Sequence, residues 1–94
     1  MSITLKMSKV RPSENVPFYT FSKEYIDLQR SNPNITRTIN AVDPTTVEVT
    51  LTFSNKDVFD AWKTNPIVVS EISKSKEYSN LIGITRTIEK VITP

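Results

Sequence analysis

Apolar and polar residues alternate with a period of two in several stretches of this chain, and between them the spacing lengthens to that of a helix. Ile3, Leu5 and Met7 against Thr4, Lys6 and Ser8 predict a first strand. Val10 falls out of phase, which places a bulge or the strand's end near Lys9. The segment from Arg11 to Pro17 contains Pro12 and Pro17 and reads as a turn-rich connection. Phe21, Tyr25 and Leu28 then recur at helical spacing, with Phe18 one turn earlier and Lys23, Glu24, Asp27 and Arg30 on the wet side. Pro33 ends this helix, because the residue before it, Asn32, is pushed out of the helical region.

A second strand is expected from about Asn34 to Val42, a turn at Asp43-Pro44, and a third strand with Val47, Val49, Leu51 and Phe53 on one face. The connection is so short that the two should form an antiparallel hairpin. Ser54 stands where a helix N-cap is expected, with Asp57 three residues on, and Val58, Phe59 and Trp62 form the buried stripe. Asn65-Pro66 is a restart signal, asparagine as cap and proline at the first helical position, for a second helical piece to about Tyr78. A last strand runs from about Leu81 to Thr93. The order β-α-β-β-α-β predicts a ferredoxin-like α+β fold: a four-stranded antiparallel sheet in spatial order 4-1-3-2, with helices on one face.

Placed on that sheet, one face collects Ile3, Leu5, Met7, Ile35, Ile39, Val47, Val49, Leu51, Phe53, Ile84, Ile88 and Ile92, and must meet the helices. The other collects Thr4, Lys6, Ser8, Thr36, Thr38, Asn40, Thr46, Glu48, Thr50, Thr52, Thr85, Thr87 and Glu89. Such a threonine-rich face suits water, and it equally suits a second copy packed against it in a shared barrel. It carries no aromatic residue on which a base could stack, which argues against an RNA-recognition sheet.

The pentapeptide ITRTI occurs twice, at Ile35–Ile39 and Ile84–Ile88, once in each predicted edge strand. Both copies turn an arginine, Arg37 or Arg86, toward the apolar face. An inward charge on an edge strand discourages edge-to-edge pairing, and carboxylates such as Asp27, Asp57, Asp60 or Glu71 are possible partners. The functional alternative is a pocket between sheet and helices, in which the guanidinium groups orient an anionic or carbonyl-bearing ligand. Arg37, Arg86, Trp62 and Tyr25 are the candidate ligand-binding residues.

Composition narrows the chemistry further. The 94 residues fit one domain, and the formal charge of +2 comes from 12 basic and 10 acidic residues spread along the chain. That pattern gives no footprint for nucleic acid or an anionic membrane. With no cysteine and no histidine there is no thiolate nucleophile, imidazole base or usual zinc site, and no metal or cofactor is expected. The single glycine, Gly83, excludes glycine-rich phosphate loops. The N-terminus is not that of a signal peptide, and no apolar run reaches membrane-spanning length. The expectation is a soluble, cytoplasmic protein.

In element order and length, and in the stretch FSNKDVFDAWKTNPIV (Phe53–Val68), the chain resembles the dimeric α+β barrel superfamily, specifically its small antibiotic-biosynthesis-monooxygenase-like domains. Those domains also often pass from the third strand into a helix, a tryptophan and an interrupted second helical piece. The resemblance implies a homodimer with sheets packed into a barrel and a ligand pocket between sheet and helices. Some such domains are cofactor-independent oxygenases and some degrade haem. This chain lacks the histidine of the catalytic members, so no catalytic residue carries over. The reading is a small dimeric binding or assembly module without catalysis, its small-molecule ligand unidentified, with a cofactor-independent monooxygenase-like enzyme as the alternative.

Overall fold

The computed structural model describes residues 1–94. Four strands, β1 (Ser2–Val10), β2 (Ile35–Asp43), β3 (Thr46–Phe53) and β4 (Thr85–Thr93), alternate with three helices, α1 (Lys23–Arg30), α2 (Lys56–Thr64) and α3 (Pro66–Ile82). The strands form one antiparallel sheet in the order β2-β3-β1-β4, the ferredoxin-like arrangement expected from the sequence, with the two ITRTI strands at its edges.

Local chemistry explains where the helices start and stop. Ser22 Oγ accepts from the Tyr25 amide at 3.3 Å and opens α1. The cap of α2 is Asn55, one residue later than expected: its Oδ1 takes the Val58 amide at 2.9 Å, while Ser54 is still held by the sheet, its amide bonded to the Asn34 carbonyl at 3.0 Å. Asn65 Oδ1 accepts from the Ile67 amide at 2.9 Å and starts α3, with Pro66 at the first turn. This last helix runs to Ile82, well beyond Tyr78. Its valines, isoleucines and serines are weak helix formers, so packing of Val68, Glu71, Ser75 and Ser79 against the rest of the molecule holds it. Gly83 ends it at φ 84°, in the left-handed region, its amide donating to the Ser79 carbonyl at 3.0 Å.

The register sets four rows of side chains on the helix side of the sheet. Ile92, Ile3, Phe53 and Ile35 form one row, and Lys90, Leu5, Leu51 and Arg37 the next. Ile88, Met7, Val49 and Ile39 follow, then Arg86, Lys9, Val47 and Ala41. The core gathers under the first two rows, where Ile3, Leu51 and Phe53 meet Tyr25, Phe59, Trp62 and Val68. Phe53 sits edge-on to Phe59 at 5.2 Å and tilted to Trp62 at 5.1 Å.

Of the two outcomes expected near Lys9, a bulge or the strand's end, the second holds: β1 is paired without interruption and ends at Val10, and strict alternation turns Lys9 inward beside Met7. The helices cover the central strands more completely than the edges: Ile39 and Ile88 on the helix-side face stay 54 % and 57 % exposed, and Ile92 is exposed as well. Two edge strands with three helices above them leave that end of the layer open. The opposite, threonine-rich face is uncovered and carries a concave groove bordered by Lys6, Glu48 and Glu89.

Candidate functional site

The open end of the sheet–helix layer is a cleft enclosing about 100 Å³. Four residues from four separate elements converge there: Arg37 from β2, Arg86 from β4, Tyr25 from α1 and Trp62 from α2, all of them sequence candidates. A fifth member, Lys9, was absent from that set. Its signal was available, since Ile3, Leu5, Met7 and Lys9 continue one alternation that Val10 merely leaves.

Lys9 is 9 % exposed and has neither a hydrogen bond nor an ion pair. Its ammonium lies 4.9 Å from the centre of the Phe21 ring, a cation–π contact. Burial, with repulsion from Arg86 and then Arg37, lowers its pKa from 10.5 to about 8. Arg86 is its direct cross-strand neighbour on β4. Arg86 Nη1 donates to Ser75 Oγ at 3.3 Å, so α3 holds this guanidinium in position. Neither Arg37 nor Arg86 pairs with a carboxylate; the ion pairs of the molecule join Asp60 to Lys56 and Lys63 on the surface of α2.

The cleft therefore concentrates three cationic side chains with no acid in its lining. Its walls are otherwise apolar and aromatic. Phe21 and Tyr25 stack with centroids 4.7 Å apart. Burial pushes the Tyr25 hydroxyl's pKa up, while Arg37 pulls it down and Glu71 raises it again. Trp62 Nε1 is buried without a hydrogen-bond partner, the one such side-chain atom in the protein. A buried donor left unpaired costs about 1–3 kcal/mol, and Trp62 is one of the residues that line the cleft.

The nearest buried acid, Glu71, is already engaged. The Tyr19 hydroxyl donates to its Oε2 at 2.7 Å. Burial pushes the Glu71 carboxyl up, but bonds from Ser22 and Tyr19 outweigh it and hold the pKa below the usual value. Nowhere do three histidine, cysteine, aspartate or glutamate residues cluster as a metal site would need. No helix is long and apolar enough to cross a membrane.

Comparison with known proteins agrees with this architecture. The chain is similar to a conserved protein of unknown function from Bacteroides thetaiotaomicron, described as a possible oxidoreductase: TM-score 0.69 and 13 % identity, over 96 % of this chain and 95 % of that one. It is also similar to two proteins provisionally named antibiotic biosynthesis monooxygenases. The one from Deinococcus radiodurans has a TM-score of 0.57 at 10 % identity, over 97 % of this chain and 92 % of that one. The one from Chloroflexus aurantiacus has a TM-score of 0.54 at 13 % identity, over 98 % and 93 %. At these identities the likeness shows the fold alone, a ferredoxin-like α+β domain. No family model and no curated protein matches the sequence.

Proposed function

We propose that the chain is a homodimeric binding domain whose sheet–helix cleft holds a compact organic anion, a carboxylate on an apolar body. The carrying observation is the convergence of Lys9, Arg37 and Arg86, without a neutralising acid, on a cleft whose walls are otherwise mostly apolar and aromatic. Two guanidinium groups suit the two oxygens of a carboxylate, and the stacked Phe21–Tyr25 pair suits a planar apolar body. The enclosed volume is below the roughly 300 Å³ of common ligand pockets, so only the anionic head is enclosed and the body reaches toward Ile88 at the mouth.

Trp62 is the only tryptophan and borders the cleft, so its fluorescence reports occupancy. Titration with benzoate should quench it saturably and benzamide should not. Loss of one guanidinium bond, by Arg37→Leu or Arg86→Leu, should weaken benzoate by about tenfold or more, since a hydrogen bond to a charged group contributes roughly 1.5–3 kcal/mol. Equal responses to acid and amide refute the proposal.

The dimer is supported by the uncovered threonine face, where Lys6 lies among Glu48 and Glu89 and both signs of charge are available to a two-fold copy. Sedimentation at micromolar concentration should give a dimer, and Thr50→Lys on central strand β3 should give monomer. A parent that is monomeric at that concentration rules the barrel out.

The descriptions given to the structural neighbours favour a second reading, a cofactor-independent monooxygenase-like enzyme. Oxygen uptake with a hydroquinone distinguishes the two: uptake above the protein-free rate supports the enzyme, and its absence supports the binding domain.

A further inference from the structure

Resting on the cleft reading above, we propose that Lys9 is a covalent site, its amine condensing with the carbonyl carbon of a 2-oxo acid whose carboxylate lies on Arg86 and Arg37. Every other lysine of the chain is exposed, whereas Lys9 is buried in a cleft with apolar walls. No carboxylate or carbonyl binds its nitrogen. A lysine that merely balanced charge would be found beside an acid, and here the cleft it lines contains Arg86 from β4, Arg37 from β2, Tyr25 from α1, Ser75 from α3 and Trp62 from α2, with no carboxylate. A desolvated amine among cations is the arrangement that yields a nucleophilic lysine, and with a pKa of about 8 roughly a tenth of it is free amine at pH 7.

Register supplies the reason for a 2-oxo acid rather than any carbonyl compound. Arg86 and Lys9 are paired across adjacent strands and share one face. In a 2-oxo acid the carbonyl carbon is bonded directly to the carboxylate carbon, so a carboxylate held by Arg86 brings that carbon to the amine. The nitrogen lone pair attacks it and the C–N bond forms. The carbonyl π pair moves to oxygen. A proton passes from nitrogen to that oxygen to give the neutral carbinolamine. Loss of hydroxide with a second proton releases one water and leaves the imine. One amine and one carbonyl give one imine and one water, with no change of oxidation state.

The test is reductive trapping. The protein is incubated with pyruvate and sodium cyanoborohydride at pH 7, and the product is read by intact mass and peptide mapping. A single adduct at Lys9 is expected. Lys9→Arg keeps the charge and should abolish the adduct; Lys9→Met serves if that variant fails a circular-dichroism check of folding. Arg86→Gln should slow labelling by pyruvate about tenfold or more relative to labelling by uncharged acetaldehyde, the loss expected for a charge-assisted bond; the acetaldehyde rate corrects for the smaller free-amine fraction once the repulsion from Arg86 is gone. Adducts spread over the exposed lysines overturn the proposal. So does the absence of an adduct when benzoate binds, which refutes the imine and leaves the cleft reading intact. Failure of every carboxylate to quench Trp62, with no adduct, refutes both.

Discussion

Replacing Lys9 by Met should stabilise the protein at neutral pH, which is the reverse of most substitutions at a buried position. Methionine keeps an unbranched chain of similar length beside Phe21 and removes only the ammonium. The pKa of Lys9 falls from 10.5 to about 8 on folding, and each pKa unit corresponds to about 1.4 kcal/mol, so holding the charge costs the fold about 3 kcal/mol. Losing the cation–π contact with Phe21 returns about 1 kcal/mol of that, leaving a net gain of about 2 kcal/mol. With a urea m-value of roughly 2 kcal/mol/M, the midpoint should rise by about 1 M. The sign of the pH dependence follows from proton counting. Below pH 8 both states carry the proton and the folded state bears the full cost. Between 8 and 10.5 the unfolded chain keeps the proton and the folded chain releases it, so the parent gains stability as pH rises. The usable window closes near pH 10, because burial raises the pKa of Tyr25 and of Tyr19, and unfolded tyrosines ionise first above that point. Urea melts followed by Trp62 fluorescence at pH 7, 8 and 9.5 should therefore show the Lys9→Met advantage shrinking with pH. A variant midpoint at or below the parent's at pH 7, or a parent midpoint flat from 8 to 9.5, refutes the account of Lys9 as a strained buried cation.

Replacing both Arg37 and Arg86 by Leu should lower solubility, read as light scattering on concentration, because it leaves apolar edge strands beside the already exposed Ile39 and Ile88; unchanged solubility would mean the arginines do not protect the edges. Gly83→Ala should destabilise by about 1–2 kcal/mol in urea melts through the left-handed φ of 84° alone, since an added Cβ would meet nothing nearer than Pro12 Cγ at 3.8 Å. Tyr19→Phe should cost about 1–2 kcal/mol by leaving the buried Glu71 carboxylate without its hydroxyl donor. In the parent, Glu71's lowered pKa adds stability that is present above pH 4.5 and lost as pH falls through the folded value. In Glu71→Gln that part of the acid dependence should be missing from melts between pH 6 and 3.

The topology was legible because each strand alternates with a fixed period and each helix has a chemical start. Val47 to Phe53 cannot hide its apolar set except as a strand with one buried face, and Asn65-Pro66 specifies a new helix almost on its own. Boundaries were less legible. Ser54 and Asn55 are both good caps, and only the bond from the Ser54 amide back to Asn34 assigns the first to the sheet. The length of α3 came from packing, since its residues have little helical preference of their own.

The candidate site divides along the same line. Alternation alone directs Arg37, Arg86 and, had it been followed one step further, Lys9 to the helix side of the sheet. It says nothing about whether a carboxylate waits there, and Asp27, Asp57, Asp60 and Glu71 were all plausible partners. Those pairings depend on distances between elements far apart in the chain, and in the fold Asp60 turns to Lys56 and Lys63 while Glu71 turns to Tyr19. The sequence by itself determined the fold class and the inward direction of the arginines, because both follow from local periodicity. Only the tertiary structure decided that the cations stay unpaired around one open cleft, because that depends on how far three helices reach across four strands.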